Sequence, residues 1–219
     1  MICTEEEVLD QGFAFKATWW SKYTDKYADQ PWWPTALDDL PAAPSRPGYQ
    51  WITRRDVFTL AADKSPIGRV RLLLASYIWG TGDSAFLVGR RVRTFTRTPL
   101  VDVGARLVDA AGLLETDGPV AAYDSLVRGN RNHIAFLGPA FFTKYLYFAA
   151  GETPDIDPPP LILDRLVARG LSVGFDEWSL RASGWPAATY GRYLQFAAEQ
   201  AAATGTPAGF ELSLFQGQA

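Results

Sequence analysis

Ile134-Ala-Phe-Leu-Gly138-Pro-Ala-Phe-Phe-Thr-Lys144-Tyr-Leu-Tyr-Phe-Ala-Ala-Gly151 is the stretch on which the reading of the fold turns. After a proline-rich loop it continues as Leu161-Ile-Leu-Asp164-Arg-Leu-Val-Ala168. It holds a Gly-Pro pair that reads as a tight turn, then Lys144 six residues past Gly138, then Asp164 twenty residues further on. Phe141, Phe142, Tyr145, Leu146, Tyr147 and Phe148 surround Lys144 with apolar side chains on every helical face, so the helix is expected to be largely buried. A lysine there either snorkels to water or is held for chemistry. Desolvation favours the neutral amine, the form a nucleophilic lysine needs. Asp164 precedes a short helix that Gly170 is expected to stop, and an aspartate in that place also reads as an ordinary N-cap. Asp155 and Asp157 are rivals for its role, but they sit in the proline-rich loop without apolar flanks.

Outward from this stretch, the sequence before it has two textures. Residues 1–53 carry Trp19, Trp20, Trp32, Trp33 and Trp51 among five prolines between 31 and 47. Thr4 with Glu7 makes a capping box, and one helix is expected from Glu5 to about Tyr23. The prolines forbid regular helix and suggest an extended wrap that the tryptophans anchor to the core. From residue 54 the chain reads as helices with short breaks, at 55–62, 67–79, 84–95, 103–114, 120–128 and 187–202. The only strand candidates, both weak, are 92–96 and 210–215. The fold class is therefore mainly α, with an N-terminal extension over 1–53 and a helical domain over 54–219.

Composition narrows the chemistry. With 47% hydrophobic and 21% charged residues, the 219-residue chain has a real core. One cysteine, Cys3, cannot form an intrachain disulfide or hold a cysteine-ligated zinc or iron–sulfur site. One histidine, His133, rules out a histidine-based metal centre by counting; its place in a polar turn suggests a surface or capping role, with catalysis the lesser alternative. The amino terminus is acidic and no apolar run reaches the length of a membrane span, so a soluble, cytoplasmic protein is expected. The net charge of −3 is unevenly spread. Residues 1–40 carry three Lys against eight Asp or Glu, whereas residues 54–106 carry ten Arg or Lys against four Asp. A basic middle suits one DNA-facing side, although ordinary surface patchiness accounts for it equally well.

The arrangement resembles the helix-hairpin-helix DNA glycosylase superfamily, most closely its bifunctional 8-oxoguanine branch. That family places a hairpin of the type Leu-Pro-Gly-Val-Gly before a nucleophilic lysine, with an essential aspartate some twenty residues later. Here Leu137-Gly138-Pro139-Ala140 stands at the hairpin, Lys144 at the lysine and Leu163-Asp164 at the aspartate. Ala140 replaces the second hairpin glycine, and two extra residues separate hairpin and lysine. The resemblance implies a helix-hairpin-helix bundle that excises an oxidised purine through a lysine imine. Lys144 and Asp164 would be catalytic. Gly138, Pro139 and Ala140 would hold a phosphate together with Arg90, Arg91 and Arg93, and Trp79, Phe141 and Phe142 would line the base pocket. The implied partner is double-stranded DNA with a damaged base, met by a monomer with no cofactor, metal, iron–sulfur cluster or membrane. Two other readings stay open: a non-catalytic DNA binder, repurposed for instance in defence against phage, and a structural helical protein in which Lys144 snorkels and Asp164 caps. By the same resemblance Trp79 to Ser84 would reach the DNA minor groove or line the base pocket; a plain helix end and turn is the simpler alternative there, as a solvated basic face is for the three arginines.

Overall fold

The computed structural model describes residues 2–24, 32–202 and 205–217. Pro31, part of the expected wrap, lies outside them. The protein is mainly helical, with eleven α-helices and one two-stranded sheet among the described residues. At its centre is α4 (Pro66–Thr81), which starts where Ser65 Oγ accepts the Gly68 N–H and proline takes the first helical position. From Leu72 to Trp79 every residue of α4 is buried, because helices cover it on all sides. Packed against it are α6 (Leu100–Thr116) and α8 (Pro139–Ala149), with α7 (Gly118–Leu126) between these two. Residues 165–217 close the bundle with α9 (Arg165–Gly174), α10 (Ala187–Ala201) and α11 (Pro207–Gln216).

The N-terminal region departs from expectation. The Thr4–Glu7 capping box is present, but α1 ends at Asp10. Residues Gly12–Phe15 form β1 and Ala17–Thr24 form α2, where one long helix was expected. Strand β1 pairs antiparallel with β2 (Gln50–Thr53), Gly12 opposite Thr53 and Phe15 opposite Gln50. Glycine disfavours the helix interior, and Phe13 and Phe15 on alternate positions favour a strand once a partner strand is at hand. Across residues 32–49 the only helical piece is a single 3-10 turn, Thr35–Leu37, as the prolines require. Both expected strands are helical instead. Residues 92–96 belong to α5 (Ala85–Thr96), and 210–215 belong to α11. The alternation in Phe210-Glu-Leu-Ser-Leu-Phe215 is overridden by a strong helix start, where Thr206 Oγ1 accepts the Gly209 N–H and Pro207 is the first helical residue. Nor does Gly170 stop α9. A Cβ on it would lie 2.4 Å from the Leu214 carbonyl oxygen, so this glycine lets α9 and α11 touch backbone to backbone.

The short helix α3 (Arg54–Thr59) follows β2 directly and delivers Arg54 into the core. Its guanidinium forks onto Glu211 of α11 at 2.9 and 3.2 Å and donates from Nε to Gln11 Oε1 at 2.7 Å. It also lies over the rings of Trp79 and Tyr147, at 5.2 and 5.1 Å. Burial alone would lower the Arg54 pKa, but Glu211 beside it holds the guanidinium charged, above its usual range. One buried fork thus ties the residue before β1 to α3, α4, α8 and α11. Replacing Arg54 by Met strands a buried carboxylate and is expected to cost about 3–5 kcal/mol in urea unfolding. Adding Glu211→Leu to that variant is expected to recover most of the loss.

Candidate active site

The stretch that the resemblance makes a helix-hairpin-helix unit is α7, the connection 127–138, and α8. Buried Ile134 and Leu137 anchor the connection, and the Leu137 N–H closes a turn on the Ile134 carbonyl at 3.2 Å. The turn residue is Phe136, with φ +67, and not the Gly-Pro pair. Gly138 is extended, with φ −99, and serves as N-cap residue, while Pro139 opens α8, where a missing N–H is harmless.

Lys144 projects from α8 back along the helix, as helical side chains do. Its Nζ donates to the Ala140 carbonyl at 3.3 Å and to Asp164 Oδ2 at 2.6 Å. Both side chains are largely buried, at 5% and 16% exposure, so Lys144 does not snorkel to water. Asp164 is also the N-cap of α9, its Oδ1 accepting the N–H groups of Leu166 and Val167 at 2.9 and 3.2 Å. The carboxylate therefore divides its oxygens, one for the helix and one for the lysine. Burial pushes the Asp164 pKa up, but the Lys144 ammonium and the two N–H donors overcome this and hold it below the usual carboxylate value.

The backbone before Asp164 is fixed from three sides. Thr143 Oγ1 bonds both the N–H and the carbonyl of Leu163, at 3.2 and 3.3 Å. The Tyr193 hydroxyl donates to the Ile162 carbonyl at 3.1 Å, and the Tyr190 hydroxyl bonds Leu161. The α10 stripe thus holds the aspartate's segment as well as packing. On the other side of the lysine is Gly80 of α4. A Cβ there would lie 2.8 Å from both Cδ and Cε of Lys144 and 3.0 Å from the Phe141 ring. A side chain at position 80 would therefore press on the path that the lysine takes to Asp164.

The pair opens on a cavity of about 570 Å³. Ala140, Phe141, Lys144 and Asp164 line it, with Trp79 and Arg91. Trp79 Nε1 donates to the Gln11 carbonyl at 3.0 Å, so its ring is a fixed wall, and the lysine nitrogen sits 5.9 Å over it. Arg91 lays its guanidinium on the Phe141 ring at 4.0 Å. Phe142 does not reach the cavity; it points the other way and packs against Tyr123 at 4.7 Å, because successive helical positions are about 100° apart. Arg90 and Arg93 are exposed on the opposite side of α5, where Arg93 lies 5.7 Å from the Phe136 ring at the hairpin. Asp155 and Asp157 are exposed and do not line this cavity. The stretch from Trp79 contributes to the wall as far as Asp83, Gly80 included, whereas sequence reasoning misses the walls that come from elsewhere: Phe13 and Trp51 of the β-ribbon and Phe215 of α11. Among the described residues no cluster of His, Cys, Asp or Glu is placed to hold a metal, and no helix is long and apolar enough to cross a membrane.

Residues 6–215 match the family described as "Putative 8-oxoguanine DNA glycosylase OGG-like protein". The chain belongs to this family. Compared with curated proteins and with solved structures, it has no match. Membership makes this a DNA glycosylase-like protein with DNA as its partner.

Two outcomes check the geometry of the pair in this OGG-like chain. Gly80→Ala is expected to lower stability by about 1–3 kcal/mol, because the new methyl overpacks the lysine. In Lys144→Ala the same change is expected to be close to neutral, and the difference between the two is the coupling read by chemical denaturation. The second concerns pH. A carboxyl whose folded pKa lies below its unfolded value stabilises fully above that value and loses the contribution as pH falls through the folded pKa. The stability gap between the native protein and Asp164→Asn is therefore expected to stay constant from about pH 5 to 8 and to close below about pH 4.

Proposed function

We propose that this protein is a bifunctional DNA glycosylase and abasic-site lyase that removes an oxidised purine of the 8-oxoguanine type, using Lys144 as nucleophile. The observation that carries the proposal is the 2.6 Å contact between a buried amine and a buried carboxylate on the wall of a cavity large enough for a base. Burying two charges is expensive, and a helix N-cap needs no lysine partner. The family match supports the glycosylase class of the reading.

The duplex gives up its damaged nucleotide to the cavity, at a cost of roughly a few kcal/mol for unstacking. The aromatic walls, Phe141 and Trp51 among them, offer faces to the extruded base. Nζ begins with three protons beside Asp164 and needs a lone pair to react. One proton goes to the departing base as the new N–C1′ bond forms and the glycosidic bond breaks. A second goes to O4′ as the sugar ring opens, which leaves an iminium at C1′. Asp164, kept ionised by its surroundings, faces the positive charge that develops on the sugar. Loss of a C2′ proton then expels the 3′ phosphate and cuts the strand, and water frees the lysine. An enzyme that used water as its nucleophile would need the aspartate and not the amine.

Borohydride trapping on a duplex with 8-oxoguanine opposite cytosine tests this. The native protein is expected to give a covalent protein–DNA adduct that Lys144→Gln abolishes. Asp164→Asn is expected to slow its formation at least about 100-fold, the scale of losing one electrostatic group at a developing charge. Absence of an adduct on that duplex, on other lesion duplexes and on abasic DNA would sink the imine mechanism.

A further inference from the structure

Helix α5 has two faces with different tasks. Val88, Val92 and Phe95 turn inward, and Arg91 reaches the cavity. At about 100° per residue, positions 86, 90, 93 and 97 fall within roughly 60° of one another on the outer face. They are Phe86, Arg90, Arg93 and Arg97, and all four are exposed. Arg97 continues the helical conformation as C-cap residue, so the row is unbroken. No Asp or Glu occurs between Ser84 and Val101, and nothing on the helix balances the charge. The row spans about 16 Å of helix axis, the length over which one DNA strand presents about five phosphates. At its middle, Arg93 meets the ring of Phe136, itself half exposed and held at positive φ, so row and hairpin form one continuous surface.

Phe86 stands at the end of the row nearest the loop 82–84, and the cavity is lined by Gly82 and Asp83 of that loop. It is 91% exposed, the most exposed large apolar side chain among the described residues, and no ring partner is found for it there. A lone exposed aromatic in line with three guanidiniums fits a polyanion that also has apolar faces to offer, and stacked bases are such faces. An anionic membrane surface shares the charge. Duplex DNA is favoured because the row runs into the hairpin and because the same helix lines the cavity on its other side.

We infer that this outer face of α5 is the track on which the duplex lies, and that Phe86 enters the base stack at the place the extruded nucleotide leaves. This rests on the glycosylase reading and assigns two residues, Phe86 and Arg97, that the catalytic pair does not require. It also separates Arg91, turned to the cavity, from Arg90 and Arg93 on the track.

The test uses the full chain and three kinds of measurement. Each of Arg90→Gln, Arg93→Gln and Arg97→Gln is expected to lower the slope of log affinity against log salt by about one, for undamaged duplex. Phe86→Ala is expected to slow excision of the base from an intact lesion duplex by about 10- to 100-fold, the scale of a lost base–aromatic stack. At saturating protein it is expected to slow borohydride trapping on an abasic duplex clearly less than it slows excision, since no base has to be extruded there. Phe86→Trp is expected to retain excision. Wild-type excision by Phe86→Ala, or an equal loss on abasic DNA, would overturn the stacking role and leave the glycosylase reading standing. Unchanged salt slopes would overturn the track. A native protein that traps no DNA, or that binds phosphatidylserine vesicles through Phe86 in place of duplex, would overturn both readings.

Discussion

A charged amine buried inside an aromatic helix must be matched, and the match between Lys144 and Asp164 governs much of what surrounds it. The lysine comes from α8 and the aspartate from the start of α9, twenty residues away. Holding their charged atoms 2.6 Å apart therefore needs the intervening chain to be fixed. Thr143, Tyr190 and Tyr193 do this by bonding the backbone of residues 161–163. The α9 N-terminus adds two N–H groups to the carboxylate, and Gly80 withholds a methyl group from the path of the lysine. Each of these features stabilises helices or packing as well, so the pair is embedded in the fold and not attached to it. That is the preorganisation that electrostatic catalysis uses.

A second buried ion pair supports the wall opposite. Arg54 and Glu211 join the start of α3 to α11, and through Gln11 they reach the strand that contributes Phe13 to the cavity. Trp79 is shared by the two arrangements: its ring lies beside both Arg54 and Lys144 and its N–H is spent on Gln11. The N-terminal region is consequently part of the cavity, with Trp51 on the wall, while Trp20 and Trp32 are buried and Trp33 is tied to Asp38. Its tryptophans do more than anchor a wrap.

What could be read from the chain follows from the range over which each signal acts. Helices were legible where apolar spacing and a cap agreed, as in α4 with Ser65-Pro66 and α8 after Gly138. Lys144 stood out because an amine in an all-apolar helix conflicts with local expectation, whereas Asp164 was picked out by its resemblance to the family aspartate and otherwise read as an N-cap. The β-ribbon was not, since two four-residue strands thirty-four residues apart carry no pattern until they pair. Phe210 to Phe215 failed in the opposite sense: a two-residue alternation was present, but the Thr206-Pro207 cap started a helix, and on it Glu211 accepts the fork that Arg54 donates. Gly170 and Gly80 look alike in sequence to any helix-weakening glycine. Their roles, contact with Leu214 and room for Lys144, exist only in the packed chain. Phe142 was misplaced because one step along a helix changes the face, and no composition argument separates it from Phe141.

The most direct test of the account is a crystal structure of the Lys144→Gln protein bound to a duplex carrying 8-oxoguanine. The damaged base is expected to be extruded into the cavity between the β-ribbon and Phe141. Its sugar C1′ would lie where a lysine at 144 could reach it at about 3–3.5 Å, with Asp164 facing the ring oxygen. A base left stacked in the helix, or a duplex bound away from α5 and the hairpin, would contradict it.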